Sequence, residues 1–179
     1  SDKTIRIWSK LLNNFDKSIL LIKSSVPADN MVYQKFEEKF QKNGISQGRI
    51  KYMNKTNSMI DHLKLYNMVD IALDTFPFNG ATTTFEALWM GVPVMTIKGD
   101  IHYSRVSTSI LTTLGMDYCV GKNEDDFLNK TINLSNNINK LINLRKELRN
   151  KIKSSPLYDG ETFAKNVEKE YKKMLLDLK

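Results

Sequence analysis

The sequence contains little that would crosslink the chain or hold it in a membrane. Its 179 residues include one cysteine, Cys119, which cannot form an intrachain disulfide and cannot by itself build a cysteine-based metal site. No apolar run approaches the roughly 20 residues that a bilayer span needs, and no basic segment followed by an apolar one opens the chain. These features predict a protein of the reducing cytoplasm.

Several catalytic signatures are also missing from the sequence. It contains no cluster of histidine, cysteine and carboxylate residues at metal-ligand spacing, no serine, histidine and aspartate arrangement, and no Walker phosphate loop. We therefore predict that the protein uses neither a metal nor a bound cofactor. Of the two histidines, His102 has no evident partner and is expected on the surface.

What the sequence does contain predicts a packed protein with a basic surface. Hydrophobic residues make up 41% and aromatic residues 9%, enough for a globular core. The net charge of +7 is compatible with binding to nucleic acid or to a charged surface. Much of the excess charge lies in KLINLRKELRNKIK and EKEYKKMLLDLK, where charges fall between apolar residues at helical spacing. Solvated lysine faces explain this pattern, and a basic nucleic-acid or surface-binding module is the alternative.

The order of apolar patterns predicts an α/β protein with a doubly wound parallel sheet. Strand-like runs alternate with segments of helical periodicity, which indicates crossovers between parallel strands. These runs are SILLIK, RIKYM, VDIALD and VPVMTI. SILLIK and VDIALD are continuous apolar runs, so we expect them to be buried on both faces. A chain break is expected at residues 26–30, where proline and an Asp-Asn pair occur.

The first predicted element is a helix with Trp8, Leu11, Leu12 and Phe15 on one face. A doubly wound sheet normally begins with a strand. We therefore expect that the first strand of this sheet is missing upstream and that the chain is a fragment.

The stretch DIALDTFPFNGATTTFEALWMGVP, residues 70–93, predicts a ligand site. In open α/β sheets, ligands bind in the loops that follow the carboxyl ends of strands. The Asn-Gly-Ala segment is small enough for its backbone to approach a ligand closely. The three threonines after it open a helix, whose free N–H groups and dipole favour an anion. A phosphate or diphosphate is the ligand that best matches these features.

Three polar residues have alternative interpretations. Thr83 and Glu86 have the spacing of a capping box, which would satisfy the helix end without a ligand; Glu86 could instead accept hydrogen bonds from ribose hydroxyls. His62 lies on the predicted helix between RIKYM and VDIALD, so it can face the same edge of the sheet. An ordinary surface or core histidine is the alternative there.

Several stretches of the sequence resemble a known protein family. The stretch from residue 70, with SRVSTSILTTLG, VGKNEDDF and SSPLYDG after it, resembles the C-terminal half of the catalytic region of the O-GlcNAc transferase and SPINDLY family of protein glycosyltransferases. The resemblance extends from about His62 onward. It implies a GT-B enzyme, in which residues 1–158 form the Rossmann-like domain that binds the nucleotide sugar. Residues 159–179 would form a helix crossing toward an N-terminal lobe.

The resemblance implies roles for single residues. Ala81, Thr82 and Thr83 would hold the diphosphate, with Gly80 allowing close approach of the backbone, and Glu86 would bind the ribose. His62 would pack near the base or the diphosphate. Animal members of the family have histidine in place of Ala81, aspartate in place of Glu86 and arginine in place of Leu65, which leaves the identity of the base open.

The resemblance also implies what lies outside this chain. The lysine that assists departure of the diphosphate is expected upstream of Ser1, so the catalytic residues are unknown and the fragment alone is expected to be inactive. Helical TPR repeats and an N-terminal lobe would present the acceptor protein. The donor would be UDP-GlcNAc or GDP-fucose, and the acceptor a serine or threonine hydroxyl. A GT-B transferase acting on polysaccharide or lipid is the alternative enzyme.

Overall fold

The computed structural model describes residues 1–24 and 31–177, in which helices alternate with short parallel strands. The break predicted at residues 26–30 lies outside these ranges. The elements are α1 Asp2–Asn13, β1 Leu20–Lys23, α2 Met31–Lys42, β2 Ile50–Met53, α3 Met59–Lys64, β3 Ala72–Leu73, α4 Thr82–Trp89, β4 Val94–Ile97, α5 Val106–Thr113, β5 Val120–Gly121, α6 Glu124–Ser135, α7 Ile138–Lys153 and α8 Gly160–Asp177. Short 3₁₀ turns occur at Leu65–Met68, His102–Ser104, Asp117–Cys119 and Pro156–Tyr158.

Polar side chains at the helix starts explain where several helices begin. The Ser1 hydroxyl accepts from the Thr4 amide at 3.2 Å at the start of α1, and Ser58 accepts from the Asp61 amide at 3.0 Å at the start of α3. Asn123 does the same for α6. Each of these contacts satisfies one of the amides that lack a partner in the first helical turn.

His102 opens a 3₁₀ turn and is exposed, as predicted.

The strands form two parallel groups. β1 pairs with β2, with Leu20 opposite Ile50, and β4 lies between β3 and β5, with Ala72 opposite Val94 and Thr96 opposite Val120. The predicted parallel α/β class is confirmed. Within the described ranges, however, no strand pairing joins β1 to β3, so the predicted single sheet is divided.

Burial of the strands differs from the prediction. β1 is half-buried at its first three positions and exposed at Lys23, and both residues of β3 are half-buried. The prediction that SILLIK and VDIALD are buried on both faces is therefore wrong for this chain. The physical reason is that β1 and β3 each have a hydrogen-bonded neighbour on one side only. The first three residues of β4, which has a neighbour on both sides, are buried.

Two hydrophobic clusters form the core. The larger one lies around β4 and includes Leu88, Met95 and Leu148, all 0% exposed. The smaller one lies around β2 and includes Phe40 and Ile50. The partly buried Trp8 of α1 packs against both clusters, so α1 connects the two parts of the core.

Arg145 of α7 connects the ends of two other elements. Its guanidinium donates to the carbonyls of Tyr66 at 3.0 Å and Val69 at 2.5 Å, at the end of the 3₁₀ turn after α3. It also donates to the carbonyl of Met90 at 3.2 Å, at the end of α4. A cation at the last carbonyls of a helix satisfies acceptors that have no partner inside the helix.

The last helix, α8, contains no buried residue. Its apolar side chains, Phe163 at 68% and Met174 at 57% exposure among them, face solvent. The predicted face of this helix also includes Leu178, which lies outside the described ranges. That the helix crosses toward another lobe stays a prediction.

We expect Leu88→Ala to lower the free energy of unfolding by about 2 to 5 kcal/mol, because it leaves a cavity next to β4. Leu175→Ala is the matched control: the same change is made on α8, where Leu175 is 64% exposed, and should alter stability by less than about 0.5 kcal/mol. Denaturant unfolding of residues 1–179 measures both. Equal losses in the two variants would contradict the assigned core.

Candidate functional site

The loop after β3 is held in place by the carboxylate of Asp74. Its Oδ1 accepts from the amides of Thr75 at 2.9 Å and Gly80 at 2.8 Å, and its Oδ2 accepts from the Thr96 hydroxyl of β4 at 2.7 Å. Burial raises the pKa of Asp74, although the hydrogen bonds from Gly80, Thr96, Ser107 and Thr75 act in the opposite direction. The carboxylate thus ties the loop to two strands.

A second set of hydrogen bonds holds the same glycine from its carbonyl side. The Gly80 carbonyl accepts from the hydroxyls of Ser107 at 2.9 Å and Thr84 at 3.1 Å, and these two hydroxyls lie 2.9 Å apart. A Cβ at position 80 would collide with the Thr83 hydroxyl and touch Thr84 at 3.0 Å. Any other residue at position 80 would therefore require the Thr83 side chain to move.

Asn79 connects this loop to the loop after β4. Its amide donates to the Tyr103 carbonyl at 2.9 Å, and the rings of Phe78 and Tyr103 stack with centroids 5.8 Å apart. Asn79 is 3% exposed. Its side-chain amide donates to the Thr75 carbonyl at 3.1 Å, whereas its Oδ1 has no hydrogen-bond partner among the described residues.

The first turn of α4 is open to solvent. Ala81 is the N-cap residue, and in the described part of the chain no side chain caps this helix. The capping-box interpretation of Thr83 and Glu86 is therefore wrong. Ala81, Thr82 and Thr83 are exposed, so solvent reaches the start of this helix, the end that favours anions.

Glu86 is held by residues distant in sequence. Its Oε2 lies 2.9 Å from His62 Nε2 and accepts from the Tyr66 hydroxyl at 3.4 Å. The side chains of His62 and Glu86 are 20% and 15% exposed. The structure therefore brings His62, predicted to face this edge, directly to Glu86. Leu65 begins the 3₁₀ turn that follows α3.

Burial and the nearby Glu86 carboxylate raise the pKa of Tyr66 to about 12. Burial is the larger cause, and the negative charge of Glu86 adds to it. Tyr66 therefore stays protonated around neutral pH and donates its hydrogen bond to Glu86.

Lys23 is a site residue that the sequence analysis missed. It is the last residue of β1, and its Nζ lies 2.6 Å from His62 Nδ1 and 3.5 Å from the Thr56 hydroxyl. Because an ammonium group only donates, Nδ1 must accept, and Nε2 must carry the proton donated to Glu86. Its position at the carboxyl end of a predicted strand could have indicated a site residue. In a chain with many lysines, this position alone did not distinguish it.

The described residues contain neither a group suited to bind a metal ion nor a membrane-spanning helix. In residues 1–24 and 31–177, no group of three or more histidine, cysteine or acidic residues is arranged to hold a metal ion. No helix in the same ranges combines the length and the hydropathy of a membrane span.

In parallel α/β folds, ligands bind in the loops beyond the carboxyl ends of the strands, and the open start of α4 follows such a loop. The family model described as glycosyl transferase family 41 matches residues 1–167. This chain belongs to that family.

Individual relatives agree with this assignment. A probable UDP-N-acetylglucosamine–peptide N-acetylglucosaminyltransferase SPINDLY of Solanum lycopersicum is 36% identical over 172 residues, which cover 96% of this chain and 18% of the relative. The UDP-N-acetylglucosamine–peptide N-acetylglucosaminyltransferase of Caenorhabditis elegans is 29% identical over 166 residues, covering 92% of this chain and 14% of the relative. This chain thus spans about a fifth or less of the length of these relatives.

A solved structure extends the likeness to three dimensions. A mutant of the Thermobaculum terrenum O-GlcNAc transferase superimposes with a TM-score of 0.91 at 28% identity, covering 98% of this chain and 34% of that one. The predicted Rossmann-like domain of a GT-B glycosyltransferase is thereby confirmed as the fold. No comparison tests the roles predicted for His62, Gly80, Ala81, Thr82, Thr83 and Glu86.

We expect the contribution of Asp74 to stability to decrease as the pH rises. Its raised pKa means that the folded state releases this proton less readily than the unfolded state. The contribution is therefore complete below the ordinary aspartate pKa of about 4 and is lost as the pH rises through the folded-state pKa. The advantage of the parent over Asp74→Asn in free energy of unfolding should shrink over this interval.

Asp159→Asn is the control for this experiment. The hydrogen bonds from Thr162 lower the pKa of Asp159, so its contribution is present above the ordinary pKa and is lost as the pH falls. The parent's advantage over Asp159→Asn should thus change with pH in the opposite direction. Urea unfolding at a series of pH values measures both, and slopes of the same sign would contradict the assignment for Asp74.

Proposed function

We propose that this chain is the donor-binding part of a glycosyltransferase that transfers a sugar, GlcNAc or fucose, from a nucleotide diphosphate to serine or threonine hydroxyls of proteins. The printed names of the relatives, which specify UDP-N-acetylglucosamine and peptide, support GlcNAc and a protein acceptor. The proposal rests on the open first turn of α4, in which Thr82 and Thr83 are exposed. The loop that leads into this turn is held by the hydrogen bond from the Gly80 amide to Asp74.

The diphosphate would lie at this helix start. The free amides of the first turn, the positive end of the helix dipole and the two threonine hydroxyls all offer stabilisation to negative charge. Such groups stabilise the charge that develops on the leaving diphosphate without a metal ion. Because Asp74 and Ser107 already hold the loop, little reorganisation is needed when the ligand binds.

The ribose would bind at Glu86. Among the described residues, the hydrogen bonds of this carboxylate use Oε2, with His62 and Tyr66 as donors. Oε1 is therefore the acceptor that we assign to a ribose hydroxyl. His62, fixed between Lys23 and Glu86, would present its ring next to the nucleoside.

In this proposal the leaving-group lysine belongs to another part of a longer cytoplasmic protein, and TPR repeats and an N-terminal lobe of that protein present the acceptor protein. The chain alone is expected to bind nucleotide and not to transfer sugar, because transfer requires these groups in line with the donor. Binding and transfer are therefore tested separately.

A titration of residues 1–179 with UDP and with GDP, followed by NMR, tests the proposal. We expect shifts of the amides of residues 80–86 at millimolar nucleotide, and we expect Thr82→Val combined with Thr83→Val to abolish them. Each hydroxyl bonded to a charged phosphate should contribute roughly 1.5 to 3 kcal/mol.

The matched control is Thr112→Val with Thr113→Val, an adjacent pair of exposed threonines in α5. It should leave binding unchanged. Absence of any nucleotide effect on the parent spectrum would remove the donor site from residues 80–86, and equal losses in the two double variants would show a general effect of valine. Binding of unrelated nucleic acids with strong salt dependence would favour the basic-module alternative.

Glu86→Gln should weaken nucleotide binding by about 1 to 3 kcal/mol, because the charged acceptor of the ribose hydroxyls becomes neutral. Calorimetry with UDP and with its 2′,3′-dideoxy analogue measures this, and the loss should be confined to UDP. Tyr66→Phe is the control, since it removes the hydroxyl that lies 3.4 Å from both Oε2 and the Thr83 carbonyl and leaves the Glu86 carboxylate in place. Equal affinity of Glu86→Gln and the parent for UDP would show that Glu86 serves His62 alone.

A further inference from the structure

The side chain of Lys23 lies at the end of the line of contacts that begins at Glu86. Its Nζ is 2.6 Å from His62 Nδ1, and His62 Nε2 is 2.9 Å from Glu86 Oε2. The imidazole ring is therefore held between a cation and a carboxylate. Because Lys23 ends β1 and Glu86 lies on α4, the fold places a positive and a negative group one histidine ring apart.

Lys23 retains a donor that its neighbours do not use. An ammonium group carries three N–H donors. One is directed to His62 Nδ1, and a second reaches the Thr56 hydroxyl only at 3.5 Å. Lys23 is exposed, and no ion pair among the described residues includes it. Its described neighbours therefore leave the third donor and the positive charge available to a ligand.

Tyr66 is the second polar side chain beside the His62 ring, and its hydroxyl is already engaged. The two rings meet edge-on with centroids 5.7 Å apart. The Tyr66 hydroxyl is directed to Glu86 Oε2 and to the Thr83 carbonyl, each at 3.4 Å. A ligand that lies against His62 and presents an acceptor at its edge therefore finds its donor in Lys23.

The order of these groups matches the order of the parts of a nucleotide. In the proposed function the diphosphate lies at the start of α4, and the ribose hydroxyls lie at Glu86, further along the same helix. The phosphate-bearing carbon and the base are attached to the ribose on either side of its ring oxygen. With the diphosphate at the start of α4, the base is thus directed away from that end, toward His62 and Lys23.

We propose that Lys23 is a specificity-determining residue that recognises the base of the donor by donating a hydrogen bond from Nζ to a carbonyl oxygen of that base. This inference rests on the proposed function and adds to it the class of base. An ammonium group donates and cannot accept. It therefore fits O4 of uracil and O6 of guanine, and it opposes cytosine and adenine, which carry amino groups at the corresponding positions.

Calorimetry of residues 1–179 with UDP, CDP, GDP and ADP tests the inference. We expect the parent to bind UDP about tenfold more tightly than CDP, and GDP about tenfold more tightly than ADP. Lys23→Met should remove both preferences by weakening the binding of UDP and GDP, whereas Lys23→Arg, which keeps a charged donor, should retain them. Lys51→Met is the matched control, because it removes an exposed lysine from the neighbouring strand β2, and it should leave all four affinities unchanged.

Three results would overturn the inference. The first is equal affinity of the parent for all four nucleotides, and the second is a base preference that survives in Lys23→Met. The third is an equal loss for all four nucleotides in Lys23→Met, since this would show that Lys23 acts only through its charge or by orienting His62. In each of these cases nucleotides still bind and the proposed function stands. If none of the four binds to the parent, the proposed function fails and this inference fails with it.

Discussion

The buried carboxylate of Asp74 is the contact on which the candidate site depends. It stands where β3 ends and accepts hydrogen bonds from the loop at Gly80 and from β4 at Thr96. Burying a carboxylate is costly unless hydrogen bonds compensate. Here donors from the loop, β4 and α5 offset part of that cost, and the raised pKa of Asp74 reflects the part that remains. The same bonds determine where the chain can enter α4. The open helix start and its threonines follow from this arrangement.

A second line of polar groups crosses the edge of the strands. Lys23 at the end of β1, His62 on α3 and Glu86 on α4 follow one another at 2.6 Å and 2.9 Å. These contacts connect β1, which ends at Lys23, to α4, which follows β3 and carries Glu86. Helix α1 also connects the two groups of strands, because Trp8 packs against both hydrophobic clusters. The line of polar groups neutralises the charge of Glu86 in part while leaving Oε1 open. The site thus combines an acidic side chain, Glu86, with a cation at its margin, Lys23, a combination that suits the nucleotide sugar of the proposed function.

The fold class and the position of the loop could be predicted from the sequence because both depend on local patterns. Apolar runs of strand length and the Asn-Gly-Ala segment before three threonines are visible without any tertiary contact. The partner of Glu86 could not be predicted in this way. Thr83 offers a partner three residues away, whereas the structure uses His62, which becomes a neighbour only after two crossovers. Lys23 was missed because nothing in the sequence distinguishes it from the other lysines. The half-burial of β1 and β3 could not be predicted because it depends on which strands pair, and each of these two pairs on one side only.

Arg145 has a consequence for ligand affinity. Its guanidinium joins the ends of the α3 segment and of α4, while the bond between His62 and Glu86 joins the same two segments near the site. Two short helical segments fastened to each other at both places have little freedom to move independently. Binding therefore requires little further loss of conformational entropy from the side chains that they carry, and this preorganisation favours affinity. Under the proposed function, part of the affinity for a nucleotide would thus be determined by Arg145 of α7, which holds the two helical segments and donates to neither Glu86 nor Gly80 among the described contacts.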